Sequence, residues 1–161
     1  MCLSLWLFAG MMGCAHGPVT AAEMERRSFT EAEALGIVVG VLRDVGLAPE
    51  RAWPVSIPGG VSLEADFRIE GSRFGVEWIS PQDRSDIGDV LPGPNEDGRL
   101  RVIAASSDDN EAQILLLEHS SYLHHSELAE RGSGGLSVRE AENRLARDLR
   151  DFLTYAQGQG L

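Results

Sequence analysis

Apolar residues recur along this chain with two different periods. Leu35, Val38, Val39, Leu42 and Val45 repeat at helical spacing. Thr30 stands ahead of that run with Glu33 three residues on, the pattern of a capping box, and Phe29 sits just outside it. Gly46 supplies a left-handed stop, followed by Leu47 and Pro49. Near the other end, Ser137 and Glu140 form a second box, and Val138, Ala141, Leu145, Leu149, Phe152 and Leu153 line one stripe. This predicts a helix running to about Ala156, with residues 158–161 as a frayed tail.

The second period is two. Leu63, Ala65, Phe67 and Ile69 alternate with Glu64, Asp66, Arg68 and Glu70. Gly71-Ser72 has glycine first, as a two-residue type II′ turn requires, and residues 73–80 read as the returning strand. That loop length places Glu70 opposite Arg73, Ile69 opposite Phe74, Phe67 opposite Val76 and Ala65 opposite Trp78. One face is apolar and the other charged, as in a sheet covered by helices on one side. Residues 100–105 and 112–118 predict two further strands around the polar stretch 106–111. The all-apolar centre of the later strand, Ile114 to Leu117, predicts burial on both faces. The stretch 53–60 holds two prolines and two glycines and reads as a loop, or a short edge strand at 55–57. Ser80 and Pro81, with Asp83 at the third helical position, start a short helix over 81–87, and 121–131 reads as another. The expected fold is α+β: one domain over residues 29–157, with about four strands in a mainly antiparallel sheet and helices on one face.

Charge narrows the function classes. The 161 residues carry 25 acidic and 14 basic side chains, all the latter arginine, for a net charge of −11. Such a balance opposes binding to a phosphate backbone, so no nucleic acid is expected. It suits a basic protein partner. Cys2 and Cys14 are the sole cysteines, so the domain holds neither an internal disulfide nor a thiolate metal site.

Residues 3–12 form an uncharged, mainly apolar run. As a helix it spans roughly 15 Å, too short for a hydrocarbon core of about 30 Å. Gly13 precedes Cys14, and Ala15, His16, Gly17 and Pro18 follow. This segment resembles the signals of bacterial lipoproteins, in which an apolar run ends in a short box closing on cysteine. The resemblance implies a signal peptide over residues 1–13, lipidation of Cys14, a tether over 14–28, and a domain held at the bacterial cell envelope, facing the periplasm or the exterior. Translation from Met24 gives the alternative of a cytosolic regulator.

Three clusters offer chemistry. Asp66 and Glu77 stand directly opposite each other in the hairpin register, and two close carboxylates bind a divalent metal or share a proton. An Asp and a Glu on adjacent antiparallel strands resemble the core of PD-(D/E)xK nucleases, although Ile79 stands where that core has lysine. Asp83, Asp86 and Asp89 form an oxygen-rich series around Arg84, without the spacing of a calcium loop. His119, His124 and His125 gather near Glu118 and Glu127, which are zinc-ligand types. No G-x-S-x-G elbow, P-loop or G-x-G-x-x-G motif is present. No catalytic, metal or cofactor residue is therefore assigned. The leading expectation is a non-enzymatic, envelope-anchored protein-binding module, accessory or immunity-type. The alternative is a metal-dependent hydrolase built on Asp66 and Glu77, or on the histidine cluster.

Overall fold

Each α-helix begins at a reciprocal cap. The computed structural model describes residues 26–94, 98–108, 110–125 and 135–161. Cys14, Met24 and Glu127, and with them the signal, lipidation and start-site expectations, lie outside the described residues. Helix α1 spans Glu31–Asp44, α2 Pro81–Ile87 and α3 Val138–Gly158. Thr30, Ser80 and Ser137 each accept the backbone N–H three residues on, and Glu33, Asp83 and Glu140 return the bond to the cap residue's N–H. Helix α1 stops as the sequence predicts. Gly46 has φ +76°, its N–H donates to the Arg43 carbonyl, and the Leu47 N–H donates to that of Leu42.

The strands are β1 (Arg26–Arg27), β2 (Pro49–Ile57), β3 (Val61–Ile69), β4 (Phe74–Ile79), β5 (Arg101–Ser107), β6 (Asn110–Glu118) and β7 (His124–His125). Five of them close into a barrel in the order β2-β3-β4-β6-β5. The expectation of a sheet of about four strands is therefore corrected to a closed barrel of five. The strand read short is β2: the prolines over 53–60 reduce it along the chain to a loop or an edge strand at 55–57, whereas it runs over Pro49–Ile57. In the barrel Pro49 occupies the first strand position, while Trp53, Val55 and Ile57 point inward and Pro54 and Ser56 outward. Strand β2 pairs along β3 and touches β5 through one strand pair, Ser56 with Ser106. The β4–β6 pairing is parallel, from Phe74 with Gln113 to Ile79 with Glu118, and the remaining pairings are antiparallel.

The hairpin register holds, with Phe67 opposite Val76. Its second face is not solvated, however. All of β4 is buried. Phe74, Val76 and Trp78 face α1 and α3, packing with Val38, Leu42, Leu145, Leu149 and Phe152. Ile79 joins Trp53, Val55, Ile57, Leu63, Ile114 and Leu116 in a second core. Strand β6 likewise serves both cores, as its apolar centre predicts.

Strand β3 changes core part-way. Leu63 and Ala65 belong to the second core, whereas Phe67 and Ile69 belong to the first. The change falls at Asp66. Across β2 the same level is occupied by Ala52, which has φ +59° and separates the pairs Arg51–Phe67 and Trp53–Ala65. The two strands bend together there, as a closing barrel requires.

Of the helix expected over 121–131, the described part, 121–125, is not α-helical. His119–Tyr122 form a single tight turn, and His124–His125 pair with Arg27 and Arg26. Residues 126–134 are outside the described set.

Candidate functional site

The hairpin brings Asp66 and Glu77 together in an arrangement that register alone does not convey. Strand pairing between β3 and β4 reaches Phe67 with Val76, and the carboxyls continue it. Glu77 Oε2 accepts the Asp66 N–H at 2.9 Å, and Asp66 Oδ2 accepts the Trp78 N–H at 2.7 Å. Side chains thus replace backbone carbonyls where β3 bends away. Glu77 is 6% exposed. Burial pushes Asp66 up to about 6, against the lowering effect of its bond from Trp78. Burial and then the charge of Asp66 push Glu77 further, up to about 9. Glu31 on α1 and Asp83 on α2 add repulsion from outside the pair. The pair consequently shares one proton at neutral pH and titrates as a unit.

The aspartate series divides among separate tasks. Asp83 is the cap partner of Ser80, at 2.6 Å from the Ser80 hydroxyl. Asp86 accepts from the Gln82 amide at 2.9 Å. Arg84, between them, directs all five of its N–H groups inward. Nε and Nη2 grip the two oxygens of Glu118, Nη1 reaches the Gly88 and Leu91 carbonyls, and Nη2 also reaches that of Pro92. Glu118 is 6% exposed, so its charge is compensated within the fold.

The histidines do not converge on a shared ligand. His119 Nδ1 lies 3.1 Å from the Ile79 carbonyl, which fixes the proton on that nitrogen. His124 Nδ1 lies 3.2 Å from the Tyr122 carbonyl, and its ring packs on Phe29 at 4.7 Å. His125 is buried on the same short strand. Among the described residues, no group of three His, Cys, Asp or Glu is placed to hold a metal ion. Nor does any described helix have the length and apolar character to cross a membrane.

The structure also exposes a groove that the sequence reading missed. It lies at the barrel end where the β3–β4 turn and the end of β5 meet, and encloses about 520 Å³. Trp53, Arg68, Ser72, Arg73, Ser107 and Asn110 line it. Trp53 donates its indole N–H to Ser107 Oγ at 2.9 Å, and that hydroxyl donates to the Pro54 carbonyl at 3.0 Å, tying β2 to β5. The one available signal was a pair of arginines flanking Gly71-Ser72. Nothing local announced that Ser107, Asp108, Asn110 and Glu111 would lie beside them, because the parallel β4–β6 pairing makes that contact.

No family model, curated protein or solved structure matches this chain.

Proposed function

We propose that this chain is a non-enzymatic protein-binding module held at the bacterial envelope by lipid on Cys14, facing the periplasm or the exterior, and that it meets a basic protein. The observation that carries the reading is how the acids are divided. Glu77, Glu118 and Asp148 are buried, and each bonds to a group of the fold itself. The surface is left with thirteen exposed carboxylates against eight exposed arginines among the described residues. Such an excess steers a basic partner and repels nucleic acid and anionic lipid headgroups. The hydrolase alternative lacks comparable support, since the best-placed acids of Asp66 and Glu77 are occupied by backbone N–H groups.

Two measurements test the proposal. Mass spectrometry of the native N-terminus is expected to find an acylated Cys14; soluble, unlipidated protein starting at Met24 overturns the envelope placement. A photo-crosslinker at exposed Glu33 or Glu140 is expected to capture a basic protein in intact cells. That capture should weaken when neighbouring exposed acids become glutamine. Retention of the same partner after charge removal overturns the electrostatic part of the reading.

A further inference from the structure

We propose that the groove between Arg68 and Arg73 is a carboxylate-binding site. This inference stands apart from the envelope reading and rests on how the two guanidinium groups are held. Arg68 donates Nε to the Ser72 carbonyl at 2.7 Å and lies over the Trp53 ring at 5.0 Å. Arg73 donates Nη2 to the Gln159 carbonyl at 3.2 Å and lies over the Phe74 ring at 5.4 Å. Each side chain is thus fixed by one carbonyl and one aromatic face, from opposite sides of the Gly71-Ser72 turn. The ordering entropy of two long side chains is met on folding rather than on binding.

Neither guanidinium is used up by these contacts. The remaining ion pairs are long and solvated: Arg68 with Glu50 at 3.9 Å, where the glutamate side chain is 48% exposed, and Arg73 with Glu111 at 3.9 Å, where it is 90% exposed. Exposed pairs of this kind contribute about 0–1 kcal/mol, so an incoming anion displaces them readily. Asn110 adds a neutral amide to the groove, and its Nδ2 gives only one of its two N–H groups to the Asp108 carbonyl.

The ligand class follows from the surroundings. A guanidinium fork matches two coplanar oxygens, as in a carboxylate or a phosphate. Asp108 and Glu111 stand on the rim of the groove. Their charge penalises a phosphate, which concentrates up to two charges on one group, more than a carboxylate group, which bears one. A free small acid and the Asp or Glu side chain of a peptide both offer that chemistry.

The test follows the Trp53 indole N–H and the Arg68 and Arg73 Nε–H resonances by NMR at constant ionic strength. Succinate, an acetylated Glu-Glu dipeptide amide and inorganic phosphate are the probes. Succinate or the dipeptide is expected to give saturable shifts at all three groups, weakened about tenfold by Arg68→Gln and by Arg73→Gln. Tighter binding of the dipeptide assigns the site to peptide side chains, and tighter binding of succinate assigns it to a free acid. Phosphate binding as tightly as either overturns the carboxylate assignment. Absence of shifts with both carboxylate probes, or shifts that neither variant weakens, overturns the site. If Arg68→Gln does not fold, Arg68→Lys serves instead. It keeps the positive charge near Trp53 but lacks the fork, and is expected to weaken binding to a similar degree.

Discussion

Asp66 and Glu77 pair across two strands through their carboxyls. Glu77 accepts the Asp66 N–H, and Asp66 accepts the N–H of the residue after Glu77. The unfolded chain releases these protons near 3.8 and 4.5, while the folded chain retains them up to about 6 and about 9. The folded state therefore binds more protons across that window. The pair's contribution to stability is full in acid and is lost as pH rises toward about 9. Glu77→Gln keeps an acceptor oxygen for the Asp66 N–H and removes the titration. The stability difference between variant and parent is expected to grow with pH, reaching about 1–3 kcal/mol in the variant's favour near the upper end. Urea unfolding at acidic, neutral and alkaline pH measures it, and a difference independent of pH would rule out the shared proton.

Arg84 and Glu118 should show the asymmetry of a buried ion pair. Arg84→Ala leaves a buried carboxylate and three loop carbonyls without their donor. The expected loss is about 3–5 kcal/mol. Lysine at the same position cannot reproduce the fork and is expected to restore less than half of it. Replacing both partners, Arg84→Met with Glu118→Leu, is expected to cost less than Arg84→Ala alone. A double-mutant cycle by chemical denaturation checks the order.

Gly75 is required by packing. A Cβ there would lie 2.8 Å from Ile114 Cδ1, 2.9 Å from the Phe67 carbonyl oxygen and 3.0 Å from Trp53 Cε3. Gly75→Ala is expected to destabilise by about 1–3 kcal/mol. Adding Ile114→Val removes one of the three obstacles and should recover only part of the loss, because the backbone oxygen cannot move aside. Thermal unfolding of the single and double variants provides the comparison.

Ala52 presents the opposite case. Its φ of +59° is left-handed, where a side chain costs about 1 kcal/mol relative to glycine. The residue is exposed, so its methyl group contributes little packing. Ala52→Gly is expected to stabilise the chain by up to about 1 kcal/mol, after the entropy of the unfolded glycine is subtracted. A marked loss of stability instead would show that the bend in β2 does not sit at this residue.

The elements legible in the sequence were those specified by neighbours in the chain. Thr30 with Glu33 and Gly46 with Leu47 each act within a few residues and stand as read. Gly71 with Ser72 gives the expected register, but the turn closes one residue earlier, with the Ser72 N–H donating to the Ile69 carbonyl and Gly71 third in the turn rather than second. Strand β2 was obscured because Pro54 is a local argument against a strand, while its pairing with Glu64 and its link to Ser107 are tertiary. The position of Asp66 opposite Glu77 was legible from turn length. Their burial was not, since it depends on β2 and β6 covering the face that alternation marks as charged. The histidines gather in sequence but form no metal-holding group among the described residues, because His119 Nδ1 turns to the Ile79 carbonyl of β4 and His124 Nδ1 to the nearby Tyr122 carbonyl.

The parallel seam between β4 and β6 has a kinetic consequence. The hairpins β2–β3–β4 and β5–β6 form from contacts between near neighbours, whereas Phe74 meets Gln113 only after a loop of roughly forty residues has closed. The slow event in folding is thus the meeting of two preformed hairpin units. Until they meet, β4 and β6 each show an unpaired apolar edge to the solvent, and that interval is when the chain is most exposed to aggregation.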